Sequence, residues 1–305
     1  MNAAPSETLD AASHPNERAD DQARAARHHT RPHIMGILNV TPDSFSDGGA
    51  FERDDRTERT RAAVRAAERL AADGATIVDV GGESTRPGAR RVPQGEEAQR
   101  VVPVVRALAE RGIAVSVDTM NATTAAAALD AGATWINDVS GGRADEAMLP
   151  LVADRDTPFV LSHWRGHSIG MNALADYADP AREILDELAR ARDAAVAAGL
   201  AAERIVLDPG LGFAKRAADN WAVLHALPSF VALGHPLLVG ASRKRFTADL
   251  LAADAPVTDR DLPTAIISAL CAREGVWGLR VHDAAVTRIA LDVVDAWTRG
   301  ADHVD

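Results

Sequence analysis

Asp208 stands in "LDPGLGFAK" (207–215), at the end of a short apolar run and before a Pro-Gly turn. A carboxylate held there wants paired donors, and the planar N–H pair of a heterocycle supplies them. Asn137 in "INDVSGG" adds an amide donor and acceptor suited to a base-like edge, and Asp118 in "VSVDTM" adds a second carboxylate. Together the three read as a pocket for a polar ring. Capping the next turn is the plainer role for any one of them alone.

Anion chemistry is written nearby. In "VGASRKRF" (239–246) Ser242, Arg243 and Lys244 stand at the entry to an expected helix, where free N–H groups and the helix dipole favour negative charge. Arg280 and His282 in "RVHD" (280–283) repeat the arrangement one strand later. Solvated basic caps are the bland alternative for either motif. Thr85 and Arg86 in "GGESTRPGA" (81–89) are available to an anionic group too, although such residues suit any exposed turn. "ILNVTPDSFSDGGAF" (37–51) runs from a strand-like stretch into nine turn-formers that carry Phe45. So long a segment is more than a connector, and it is expected to act as a mobile lid.

Eight β-rich or apolar runs must position these groups: 34–40, 76–80, 113–118, 134–138, 158–163, 204–208, 236–240 and 278–282. Ala-rich stretches such as "RTERTRAAVRAAERLAADGA" separate them, with apolar residues recurring at helical spacing. Eight strand–helix units over about 270 residues predict an α/β fold, a (β/α)8 TIM barrel. A doubly wound sheet is the main rival, but the Gly-rich turn that often follows its first strand is missing. In a barrel the site lies at the strand C-termini. Those ends carry Asn39, Asp79 and Glu83, Asp118, Asn137 and Asp138, His163, Asp208, and Arg280 with His282.

Composition narrows the partners. The 305 residues are 47% apolar and 25% charged, which suits an ordinary globular chain. A net charge of −11 argues against nucleic acid as a partner. No apolar run is long enough for a membrane span and no secretory leader opens the chain, so a cytoplasmic location is expected. The single cysteine, Cys271, reads as a buried thiol. Residues 1–31 have few large apolar side chains and read as a disordered tail, leaving 32–305 as one domain. The tail's "RHHTRPH" is expected to be solvated, not a metal site.

The motifs "IMGILNVTPDSFSDGG", "GATIVDVGGESTRPGA", "VSVDTM", "INDVSGG", "LDPGLGFAK", "GASRKRF" and "RVHD", in this order and spacing, resemble the dihydropteroate synthases, pterin-binding enzymes of folate synthesis that sulfonamides inhibit. The resemblance spans roughly residues 34 to 298 and implies a (β/α)8 barrel. It also implies condensation of 6-hydroxymethyl-7,8-dihydropterin diphosphate with p-aminobenzoate. By this resemblance Asp118, Asn137, Asp208 and Lys244 hold the pterin. Thr85, Arg280 and His282 hold the diphosphate, and Asn39 ligates Mg2+. Ser242 and Lys244 border the p-aminobenzoate pocket, and Phe213 and Lys215 join the substrate contacts. Asn39, Phe45, Arg86, Asp118 and Lys244 form the catalytic set, with Phe45 carried by the closing lid.

The resemblance further implies a homodimer through helices on the barrel's side. Ser162 and Trp164 depart from the commonest family pattern, which is expected to alter packing without removing the chemistry, and Ala214 and Arg216 stand where Gly and Thr are usual, with Lys215 and Asn220 kept. Two other readings share the barrel: a methyltetrahydrofolate-binding methyltransferase, which needs no diphosphate site, and a pterin-binding paralogue without turnover.

Overall fold

The computed structural model describes residues 31–41, 56–83, 92–167 and 170–301. All eight expected runs form strands: β1 (His33–Asn39), β2 (Ile77–Gly81), β3 (Val115–Asp118), β4 (Trp135–Asp138), β5 (Phe159–Ser162), β6 (Ile205–Asp208), β7 (Leu238–Val239) and β8 (Gly278–Val281). They pair in the order β6-β5-β4-β3-β2-β1-β8-β7. Every resolved pairing is parallel. A parallel bridge between Leu207 and Leu237 joins the two edges. The chain is a (β/α)8 barrel, as expected.

Between the strands run α1 (Arg56–Ala72), α2 (Gln94–Ala109), α3 (Ala122–Asp130), α4 (Met148–Asp154), α5 (Pro180–Ala197), α6 (Ala217–His225), α7 (Leu227–Val231) and α8 (Asp261–Arg273), and α9 (Ala284–Ala301) follows β8. Local chemistry sets their starts. At α5 the Asp179 side chain accepts from Arg182 N and Pro180 takes the first position, where no N–H is needed. At α9 the Asp283 carboxylate accepts from Val286 N at 3.0 Å. From Arg31 onward the described residues form one compact unit. Arg31 donates to Asp292 and Asp295 at 2.7 and 2.8 Å, so chain is already held on α9 at this point. The proposed tail before it lies outside the described residues.

Strand alternation sorts the side chains into two apolar bodies. Outward residues such as Val78, Val117, Leu161, Leu207 and Leu279 pack with helix residues such as Val105, Leu108, Leu188 and Phe230. Inward, Met35, Ile77, Val160, Val206 and Leu238 meet Ala114, Trp135 and Trp277 and plug the N-terminal end of the barrel. The ring centres of Trp135 and Trp277 lie 5.1 Å apart, and that of His33 lies 4.9 Å from Trp277. Each buried side chain of this size stabilises by roughly 1.5–3 kcal/mol. Two residues further along the same inward faces stand Asp79, Ser116, Asn137, Ser162 and Asp208. The plug thus sets a dry floor beneath a polar layer.

Candidate active site

Arg280 on β8 ties this polar layer together. Its Nε donates to Asp79 Oδ2 at 2.6 Å and its Nη2 to Asp118 Oδ2 at 2.7 Å. Asn137 Nδ2 donates to the same Asp79 oxygen at 3.0 Å. Register brings the groups level, since Asp118 pairs with both Gly81 and Asn137. Two buried carboxylates share one cation. Burial pushes Asp118 up to about 7 against the pull of Arg280, with the Asp79 charge adding to the rise. Burial also works against the guanidinium, but Asp79 and Asp118 more than offset it and raise Arg280 above its ordinary value. Asp79 Oδ1 and Ser116 Oγ, register partners on β2 and β3, are buried without a hydrogen bond among the described residues.

Asp208 faces the mouth from β6 with 8% exposure. Its Oδ1 accepts from Gly210 N at 2.7 Å. The other oxygen makes no bond among the described residues, so it is available to a donor from a bound ring. Lys244 donates to the Leu211 carbonyl and lies 4.7 Å over the Phe213 ring. Burial lowers Lys244 to about 8, while Asp208 pulls the other way. Ser242 Oγ lies 2.9 Å from His282 Nδ1 and accepts from His282 N at 3.1 Å. Lys215 Nζ contacts Gly210 O and His163 Nδ1 at 2.9 Å each, and Phe213 O at 3.1 Å.

Other expectations are corrected. No α-helix follows Ser-Arg-Lys directly: a six-residue 3-10 segment, Arg245–Leu250, comes next. Arg243 is left-handed (φ 56°) and Lys244 extended, so their N–H groups do not line up on one axis. The Arg243 guanidinium pairs instead with Asp261, at 2.8 and 2.7 Å. Asp138 turns back on its own loop, accepting from Ser140 N, Ser140 Oγ and Gly142 N. Glu83 accepts from Val92 N at 3.0 Å. Phe45, Thr85 and Arg86, and the lid beyond Thr41, lie outside the described residues.

Asn39 ends β1 opposite Gly81. A Cβ added to Gly81 would lie 3.7 Å from Asn39 Oδ1 and 3.8 Å from Asp118 Oδ2. The missing side chain leaves a small space bordered by Asp118 Cβ at 3.6 Å and by these two oxygens, of which Asp118 Oδ2 already accepts from Arg280. That donor set fits a hard divalent cation such as Mg2+, which takes few protein oxygens and completes its shell with water and phosphate. No cluster of three or more His, Cys, Asp or Glu fit for a metal occurs among the described residues.

One known family, described as pterin binding enzyme, matches residues 35–282 of the sequence. The chain belongs to the pterin-binding enzyme family. A dihydropteroate synthase of Mycobacterium leprae is 50% identical over 278 residues, covering 89% of this chain and 95% of that protein. The barrel superposes on Xanthomonas albilineans dihydropteroate synthase, solved with 4-aminobenzoic acid, with a TM-score of 0.81 and 41% identity over 88% of this chain and 94% of that one. Yersinia pestis dihydropteroate synthase in a sulfonamide drug complex gives 0.80 and 38% over 89% and 96%.

Proposed function

We propose that this chain is a dihydropteroate synthase, joining 6-hydroxymethyl-7,8-dihydropterin diphosphate to p-aminobenzoate and releasing diphosphate. One observation carries the reading. Asp118, Asn137, Asp208, Lys244 and Arg280 meet at the strand C-termini above a dry apolar floor, in a chain half identical to an enzyme of that name.

In this reading the open Asp208 oxygen accepts from the amino-pyrimidine edge of the pterin, and Asn137 and Lys244 fix its other polar atoms. Arg280 and His282 face the diphosphate, and the resemblance assigns Thr85, outside the described residues, to the same group. Asn39 would hold Mg2+ together with diphosphate oxygens, and the ion supplies positive charge for the departing group. The C–O bond to the pterin methylene breaks with its electron pair leaving on diphosphate. The arylamine nitrogen then bonds to the methylene and its extra proton leaves to solvent or diphosphate. Lys244 and Arg280 provide preorganised charge, and the buried floor keeps water from the methylene cation. The resemblance assigns Phe45 and Arg86, outside the described residues, to the arylamine, and sulfonamides would compete with p-aminobenzoate there.

The reading includes a cytoplasmic homodimer. On α8, Leu262, Ile266 and Leu270 are exposed at four-residue spacing, and on the adjoining α9 Ile289, Val293 and Trp297 repeat the pattern. Such a two-helix apolar face suits a second copy across a two-fold axis. Purified protein supplied with both substrates and Mg2+ tests the activity, read as dihydropteroate formed. Absence of product, with both substrates intact, would favour the paralogue that binds without turnover.

A further inference from the structure

The loop between β6 and α6 holds an unusual backbone. Gly210, Gly212 and Ala214 are all left-handed, with φ of 66°, 76° and 47°. A Cβ at Gly210 would lie 2.4 Å from the His163 carbonyl, so only glycine fits there. Ala214 takes the same region with a Cβ, which must be held by something outside the loop.

Two arms reach the loop, and both start at Glu187 on α5. In the first, Glu187 Oε2 lies 2.8 Å from His163 Nε2, and His163 Nδ1 lies 2.9 Å from Lys215 Nζ. Lys215 then donates to the carbonyls of Gly210 and Phe213. An ammonium has three hydrogens, and these are its three acceptors. The match requires an unprotonated Nδ1, which leaves the ring hydrogen on Nε2 to donate to Glu187. Burial lowers His163 to about 4, which keeps the ring neutral. Burial, with the Lys244 charge adding, draws Lys215 down to about 7 against Asp208 and Glu187.

In the second arm Glu187 Oε1 accepts from Arg165 Nη2 at 2.5 Å. The Arg165 guanidinium lies 3.8 Å over the Tyr177 ring, and Tyr177 OH donates to Ala214 O at 2.9 Å. Both arms end on carbonyls of one short loop. That loop begins at Asp208, carries Phe213 and gives Lys244 its Leu211 acceptor.

We infer that Lys215 is a positioning residue: backed by His163 and Glu187, it fixes the loop that aims Asp208, Phe213 and Lys244, and does not itself bind substrate. The inference rests on the proposed activity of the site but has its own readout. Lys215→Met keeps the length of the side chain and removes all three donors. His163→Asn keeps an acceptor for Lys215 and loses Glu187, whereas His163→Leu loses both.

The experiment measures KM and kcat for both substrates well below each melting midpoint, with hydrogen exchange at the amides of 210–216 read by mass spectrometry. Lys215→Met is expected to speed exchange in that segment and raise both KM values about tenfold to a hundredfold, leaving kcat the less affected. His163→Asn should fall between wild type and His163→Leu. Native KM values with a merely lowered melting point would overturn the inference, as would loss of kcat at unchanged KM, which would put Lys215 among the reacting groups. If Lys215→Met does not fold, the two His163 variants decide: equal KM values in both would sink it. Wild-type protein without turnover would refute the activity alone, because the exchange of 210–216 in the variants still tests the loop.

Discussion

A single guanidinium balances two buried acids in the mouth of this barrel, which changes what its removal measures. Arg280→Ala leaves Asp79 and Asp118 without their cation, and breaking a buried pair from one side costs about 3–5 kcal/mol. Chemical denaturation should show that loss, and Asp79→Asn on top of Arg280→Ala should recover part of it. A ligand-binding deficit in Arg280→Ala therefore cannot be assigned to the diphosphate until stability is matched. Asp208→Asn is cleaner. The amide oxygen can keep the Gly210 N–H while the NH2 turns toward the ring's own donors. Pterin affinity should fall by about 2–5 kcal/mol in calorimetry with little change in melting, and native affinity would remove Asp208 from the pocket. Asp118, Asn137, Asp208 and Arg280 were legible as strand-end polar groups. Asp79 as the shared acceptor of Arg280 and Asn137 was not, because that role depends on the barrel bringing residues 201 positions apart to 2.6 Å. Arg243 read like Lys244 for a similar reason: its partner Asp261 sits on a later helix.

At the level of elements, the strands were readable because buried parallel strands are short continuous apolar runs between turn-formers. Their ends were less so. The run at 236–240 yields only Leu238–Val239, since ladder pairing and not composition sets the limits. The β6–α6 loop shows what pattern cannot carry, since nothing in "GFAK" announces that Ala214 is left-handed. That conformation costs a residue with a Cβ about 1–2 kcal/mol. Glycine relieves the strain but adds about 0.4–1 kcal/mol of unfolded-state entropy to be lost on folding. The difference favours Ala214→Gly by a fraction of a kcal/mol to about 1, a rise of roughly 1–4 °C in melting midpoint for a chain of this size. A lower midpoint would mean that the alanine methyl, only 1% exposed as a residue, contributes packing that outweighs its strain.

The whole molecule responds to pH and, in the proposed reading, associates with a second copy. His163 is neutral and buried in the fold, with its pKa lowered to about 4 by burial and by Lys215. Unfolded, the ring regains an ordinary value near 6.5, so below that pH the unfolded chain takes the proton first. Stability from this group is full above about 6.5 and falls toward pH 4, by up to about 3 kcal/mol. Asp118 and Asp138, raised to about 7 and about 6, act in the opposite direction in the same range, their folded forms taking protons more readily. Melting curves of His163→Asn should cancel those shared contributions and show the shallower decline between pH 6.5 and 4. Parallel curves would mean that the ring is already charged in the fold. Association is the other whole-molecule property. The face on α8 and α9 is carried by residues more than half exposed, Trp297 reaching 76%, and a chain of net charge −11 has little reason to show such a patch to water. If a second copy covers it, Ile266 meets its counterpart's apolar face, and a carboxylate there is desolvated without a partner. Ile266→Glu should sediment as a monomer at micromolar concentration where the native protein runs as a dimer. It should also keep most of its turnover per chain, because Asp118, Asn137, Asp208, Lys244 and Arg280 come together within one barrel. A native protein that sediments as a monomer, or a variant that stays dimeric, would place the partner of this face elsewhere.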